Sequence, residues 1–148
     1  LLTTLPRMAR LSLEIPAILP FATVIEVRVT DLNYGAHLGN DAMVSLIHAA
    51  RFRFLVSQGM SEADCGGAAL VLGDLAVVYR AECFAGDRLR FEVGVTDVAR
   101  VGCDFVYRAV RERDARLVVE AKTGIVFLDP LSRRPCAVPE AIRAQAVV

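Results

Sequence analysis

The stretch that decides the fold runs from Asp31 to Ser57 and reads DLNYGAHLGNDAMVSLIHAARFRFLVS. It begins as a polar turn rich in Asp, Asn and Gly, and it continues as a segment that is apolar at helical spacing. From Ala42 to Ser57 the apolar side chains occupy most of the helical circumference, which predicts a buried helix rather than one lying on a surface. Asn40 is a good N-cap residue, and Gly59 suits the position just after the helix ends.

Strand patterns surround this helix. Before it, residues 22–30 alternate, with Ile25, Val27 and Val29 on one face. After it, strands are expected at 68–80, 88–98, 102–111 and 116–128, and a short helix from Pro139 to about Gln145. The run 68–80 is apolar at consecutive positions, which predicts a strand buried on both faces. The order predicts an α+β fold, with a five-stranded antiparallel sheet wrapped around one long central helix.

Composition limits the classes of function. A chain of 148 residues predicts one domain, which we place at 22–148 after an N-terminal arm at 1–21. Seventeen basic residues balance 17 acidic ones, which argues against nucleic-acid binding. No apolar run approaches the ~20 residues that span a bilayer, so no membrane partner is expected. A hydrophobic fraction of 55% instead indicates a subunit interface, and we expect a homodimer or a tetramer of dimers.

The four cysteines are widely spaced and form no C-x-x-C pair. This pattern favours free thiols in a reducing compartment over a zinc site or a disulfide framework, so we expect a cytoplasmic protein that holds no metal.

The polar turn, residues 31–43, carries the candidate functional residues. A helix N-terminus exposes unpaired N–H groups and the positive end of the helix dipole, which can hold a developing oxyanion. Neighbouring Asp, Asn and His side chains can position a nucleophile. We therefore expect a catalytic set of Asp31, Asn33, His37 and the main chain at Asn40. Each side chain also has a structural alternative, because Asp and Asn shape turns and a loop histidine bonds backbone carbonyls.

Two more polar residues interrupt apolar segments. His48 lies in the helix, where a histidine of the core or of an interface is the favoured interpretation. Asp74 lies in the apolar strand, where a carboxylate is costly unless it is paired or hydrogen-bonded. It either borders the active cleft or pairs across a dimer axis with Arg80 or its symmetry mate.

The element order and the turn together resemble the hotdog-fold acyl-CoA thioesterases of the 4-hydroxybenzoyl-CoA thioesterase type. The family signature reads roughly Asp-x-Asp-x-x-Gly-His-x-Asn-Asn-x-x-Tyr, followed by a helix ending in Ala-Arg-x-x-Phe-Leu. Asp31, Asn33, His37 and Asn40 fall in register with it, and the helix supplies ARFRFL at residues 50–55. Residues 79–87, YRAECFAGD, look like the family's strand and turn that end in Gly-Asp.

The chain departs from the family at its nucleophile or general base, which is the second Asp of the signature. Asn33 stands there, and an amide cannot accept a proton or attack as a carboxylate does. The family's activating main-chain N–H falls at Asn40 and survives any side-chain change. The resemblance thus implies thioester hydrolysis in which the Asn40 N–H polarises the carbonyl. Asn33 and His37 would place water, and Asp31 or Asp74 would act as base.

The resemblance also implies an acyl-CoA substrate and no metal or redox cofactor, since CoA enters as part of the substrate. Two other functions stay open at this point. A hotdog hydratase acting on enoyl thioesters also uses an Asp–His pair in this loop. A non-catalytic module that binds acyl thioesters is compatible with Asn33.

Overall fold

The computed structural model describes residues 10–147, so residues 1–9 of the expected arm and residue 148 lie outside the described residues. The strands are β1 (Phe21–Glu26), β2 (Ala69–Tyr79), β3 (Arg88–Thr96), β4 (Gly102–Arg111) and β5 (Arg116–Leu128). The helices are α1 (Asn40–Ser57) and α2 (Glu140–Arg143), and a 3₁₀ turn covers Val29–Asp31.

The five strands form one antiparallel sheet in the order β1-β3-β4-β5-β2, which confirms the α+β architecture with a single long helix. Only β3, β4 and β5 form a meander. β2, the strand that precedes β3 in the chain, pairs with β5 rather than with β3. The chain leaves β1 at one edge, crosses the sheet as α1, and so enters β2 at the opposite edge.

The core lies between α1 and the inner face of the sheet. Phe54 of α1 is 1% exposed, and its ring centroid lies 5.7 Å from that of Phe105 at an interplanar angle of 83°. The ring centroid of Phe21 in β1 lies 5.5 Å from that of Phe54. Edge-on aromatic packing of this kind adds to the burial that holds the helix in place. Within residues 10–147, no helix has the length and apolar character needed to cross a membrane.

β1 ends earlier than the alternating pattern predicts. Its last residue is Glu26, and Val29, which was expected to face the core, is 76% exposed. The cause is local, because the Asp31 carboxylate accepts the Arg28 main-chain N–H at 2.8 Å and folds residues 29–31 into the 3₁₀ turn. The strand therefore stops where this side chain offers the backbone another partner.

β2 is not buried on both faces in the structure of this chain, contrary to the prediction from its apolar run. It is an edge strand, and its apolar residues Leu72, Leu75 and Tyr79 are each more than 40% exposed. An edge strand has a neighbouring strand on one side only, and nothing within residues 10–147 covers these side chains, so the apolar run marks an uncovered strip.

The N-terminal arm packs on the outer face of the sheet. The Arg108 guanidinium donates to the carbonyls of Pro16 and Ala17. Gly94 lies beneath Leu19, so closely that a Cβ on Gly94 would meet the Leu19 side chain at 2.8 Å. The arm therefore occupies part of the sheet face opposite α1.

Candidate active site

A pocket of about 310 Å³ lies at the N-terminus of α1. Its wall combines the polar turn, the first turn of α1 and the segment that follows β2. The Leu38 N–H donates to the Cys83 carbonyl at 2.8 Å, which joins the polar turn to the segment after β2. The lining residues are His37, Leu38, Gly39, Asn40, Met43, Tyr79, Arg80, Ala81, Glu82 and Cys83.

The helix N-terminus in this pocket is open. Gly39, not Asn40, is the N-cap residue, so the expected cap is wrong by one position and Asn40 is the first helical residue. Gly39 has no side chain to satisfy the N–H groups of the first turn, and its own N–H donates to the Asp31 carbonyl at 3.1 Å. The first-turn N–H groups and the positive end of the helix dipole are thus available to a ligand oxygen.

Asp31 closes the polar turn and does not line the pocket. Its carboxylate accepts the Arg28 main-chain N–H, and the Arg28 guanidinium binds both of its oxygens at 3.0 and 3.2 Å. The hydrogen bonds from Arg28 lower the pKa of Asp31. This carboxylate is therefore a charged turn-forming group whose oxygens are already engaged.

Asn33 and His37 form a connected pair on the other side of the turn. The Asn33 Oδ1 accepts the main-chain N–H groups of Gly35 at 2.9 Å and His37 at 3.4 Å. The Asn33 Nδ2 therefore faces the His37 Nδ1, 3.4 Å away. Because an amide NH₂ can only donate, Nδ1 is the acceptor and the neutral ring carries its hydrogen on Nε2. The His37 Nε2 atom lies 3.9 Å from the Glu82 Oε1.

The end of β2 and the segment after it supply site residues that sequence reasoning missed. The Tyr79 hydroxyl donates to the Asn40 carbonyl at 2.8 Å and so braces the first turn of α1. Burial, followed by the charge of Asp41, raises the pKa of Tyr79, so the phenol stays protonated. Glu82 lines the pocket with a carboxylate that is 68% exposed. The signal was present in the family-like segment 79–87, but nothing local placed that segment beside the helix start.

Cys83 also lines the pocket. Burial raises its pKa to about 11, so it remains a thiol at neutral pH and is a poor nucleophile. All four cysteines are unpaired in the structure. No three His, Cys, Asp or Glu side chains within residues 10–147 converge in a way that could hold a metal ion.

The structure does not bring Asp74 or His48 to the pocket. Asp74 is exposed, accepts the Gly124 N–H at 2.8 Å and pairs with Lys122 at 2.9 Å. Its partner is therefore Lys122 on the neighbouring strand. His48 faces outward from α1 and lies 3.1 Å from Glu62.

The chain matches known proteins in both sequence and fold. The model of the thioesterase-like superfamily matches residues 27–146. A 1,4-dihydroxy-2-naphthoyl-CoA thioesterase from Synechocystis has a TM-score of 0.76 at 20% identity, covering 84% of this chain and 93% of that one. A thioesterase-superfamily protein from Jannaschia sp. CCS1 reaches 0.77 at 23% identity, covering 87% and 82%.

A third similar structure is a hypothetical protein from Staphylococcus aureus in complex with CoA. Its TM-score is 0.75 at 18% identity, and the match covers 89% of this chain and 85% of that one. At these identities the structural matches establish the hotdog fold, while the sequence match over 27–146 establishes the family. The chain belongs to the thioesterase-like superfamily.

Proposed function

We propose that this protein hydrolyses acyl-CoA thioesters in the pocket at the start of α1. The observation that carries the proposal is the open helix N-terminus at Asn40, which faces a cavity that His37 and Glu82 also line. Hydrolysis of a thioester needs a donor for the carbonyl oxygen and polar groups that hold water beside the carbonyl carbon. This cavity offers both.

In the proposed mechanism, the main-chain N–H groups at Asn40 polarise the thioester carbonyl and stabilise the oxyanion. His37 presents Nε2–H toward the water, and Asn33 keeps the ring in that tautomer. Asp31 holds the turn by receiving Arg28 and by offering its carbonyl to Gly39. No cofactor is required, because CoA arrives as part of the substrate.

The comparisons support the CoA part of this proposal. The Synechocystis protein is named as a 1,4-dihydroxy-2-naphthoyl-CoA thioesterase, and the Staphylococcus aureus protein was solved with CoA. The finer assignment to the 4-hydroxybenzoyl-CoA type rests on the sequence resemblance at 31–43 and 79–87. Aromatic acyl-CoAs therefore belong in any substrate panel beside aliphatic ones.

We also propose that the working protein is a homodimer, alone or within a tetramer of dimers, joined along β2. β2 is an 11-residue edge strand whose Leu70 N–H donates to the Glu62 carbonyl, and no other strand within residues 10–147 pairs with its outer edge. Leu72 and Leu75 form an apolar strip beside that edge. Long apolar edge strands attract another strand unless they are covered. A second copy pairing antiparallel to the first would satisfy the edge and bury the strip on both chains.

A substrate panel tests the activity. The purified protein is incubated with aliphatic, aromatic and enoyl-CoA thioesters while free thiol release and loss of the enoyl absorbance are followed in parallel. Thiol release with at least one acyl-CoA supports hydrolysis. Hydration of the enoyl substrate without thiol release would instead assign a hydratase, and saturable binding with neither reaction would assign a binding module.

A further inference from the structure

We propose that Glu82 is the general base of this hydrolysis, taking the role that the family's carboxylate has at the position of Asn33. The proposal rests on the proposed thioesterase function and adds a catalytic residue to it. It starts from a mismatch beside the pocket: the family's carboxylate position holds the amide of Asn33, which does not line the cavity, whereas the Glu82 carboxylate does.

The backbone around Glu82 is held from two directions. The Glu82 carbonyl accepts a hydrogen bond from the Arg111 guanidinium, and the next carbonyl, that of Cys83, accepts the Leu38 N–H at 2.8 Å. These bonds anchor the segment after β2 to the polar turn. The Glu82 side chain is therefore presented to the pocket from a fixed main chain, although the carboxylate itself stays accessible to water.

A chain of polar contacts then links Glu82 to Asn33. The Asn33 Nδ2 faces the His37 Nδ1 at 3.4 Å, and the His37 Nε2 lies 3.9 Å from the Glu82 Oε1. The Asn33 amide favours the tautomer with hydrogen on Nε2, and in this tautomer the imidazole cannot itself take a proton at Nε2. Contacts of this kind are often long without substrate and shorten when substrate binds.

Other carboxylates near this end of the sheet are engaged elsewhere. Arg28 holds Asp31, and Arg113 holds Asp87 at 2.8 Å. Arg111 holds Asp114 at 2.6 Å. In each of these acids, both carboxylate oxygens accept hydrogen bonds from arginine or main-chain N–H groups.

Asp41 is the remaining acid near the helix start. Its Oδ1 occupies the space beside Gly39, 2.7 Å from where a Cβ would lie, and Asp41 does not line the pocket. Glu82 is the acidic residue among those that line the pocket.

The reaction balances with Glu82 as base. The carboxylate removes a proton from water as the water oxygen bonds to the thioester carbon, and the carbonyl electron pair moves onto the oxygen at the helix N-terminus. When the C=O bond re-forms, the C–S bond breaks and the thiolate leaves. Glu82 returns its proton to the sulfur, which gives a carboxylic acid and free CoA thiol.

The test compares E82Q with D41N and with the control E26Q. Glu26 is an exposed glutamate at the end of β1, outside the pocket. Kinetic constants are measured on the best acyl-CoA, and binding of a non-hydrolysable thioether analogue is measured by calorimetry.

For E82Q we expect kcat to fall by about 100-fold or more, the contribution usual for general-base catalysis, with analogue binding unchanged. E82D should restore part of kcat, and the acidic limb of the wild-type pH–rate profile should vanish in E82Q.

The outcomes separate the two proposals. A wild type that releases thiol, together with an E82Q protein of unchanged kcat, would overturn the role of Glu82 and leave the thioesterase function standing. A large loss of kcat in D41N with none in E82Q would move the base to Asp41. A wild type that cleaves no thioester in the panel would refute the proposed function and the base with it.

Discussion

Replacing Asn33 by alanine tests the polar turn most directly. The change deletes the Oδ1 acceptor for the Gly35 and His37 N–H groups and the Nδ2 contact to the His37 ring. A net hydrogen bond contributes about 1 kcal/mol, and the Gly35 bond is exposed to water, so we assign about 1–2 kcal/mol to the set. If that energy holds His37 in its reactive orientation, Asn33→Ala should lower kcat/KM by about tenfold.

Asn33→Asp separates geometry from chemistry at the same position. Aspartate keeps the Oδ1 acceptor for both N–H groups, but it turns an oxygen rather than an NH₂ toward the His37 Nδ1. That oxygen favours the tautomer with hydrogen on Nδ1, which frees Nε2 to accept a proton. We therefore expect Asn33→Asp to raise kcat/KM above the wild-type value, because a second base then faces the pocket.

Both variants are assayed by thiol release on one acyl-CoA after circular dichroism has confirmed the fold. Tyr34→Ala is the matched control, since Tyr34 lies in the same turn and its side chain is fully exposed. Equal rates for the wild type and Asn33→Ala, with no gain from aspartate, would remove Asn33 and its control of His37 from the reaction.

The remaining predictions concern the core, the turn and the edge strand. Phe54→Ala should lower the free energy of unfolding by about 3–5 kcal/mol in urea titrations, because the side chain is buried against two other rings. Arg28→Met should destabilise the fold at pH 7, and its difference from the wild type should shrink as pH falls below the ordinary carboxyl range. The lowered pKa of Asp31 means that the ion pair stabilises the fold above the unfolded carboxyl pKa, and this contribution is lost as pH falls through the folded value. A difference that persisted in acid would contradict this account. Leu75→Arg should shift the mass from dimer to monomer in light scattering, while Leu131→Arg, at a fully exposed turn position, should not.

The sequence by itself determined the elements whose signals are local. The helix predicted over 42–57 is α1 at Asn40–Ser57, and the strands predicted at 102–111 and 116–128 match β4 and β5. Apolar periodicity and turn residues act within a few positions, so they can be read directly along the chain. The polar turn at 31–43 was found for the same reason, since the contacts between Asn33 and His37 span four residues.

Only the tertiary structure decided where β2 lies and what completes the pocket. The same apolar run is compatible with a central strand and with an uncovered edge strand, because the pattern gives the hydrophobicity of the residues and not the number of neighbouring strands. Tyr79 meets Asn40 across 39 positions, and Glu82 meets His37 across a similar separation. These contacts exist because α1 crosses the inner face of the sheet, so β2 forms at the edge opposite β1. The end of β2 then lies beside the start of α1. No local propensity encodes that return, so the candidate base could be seen only after the chain was folded.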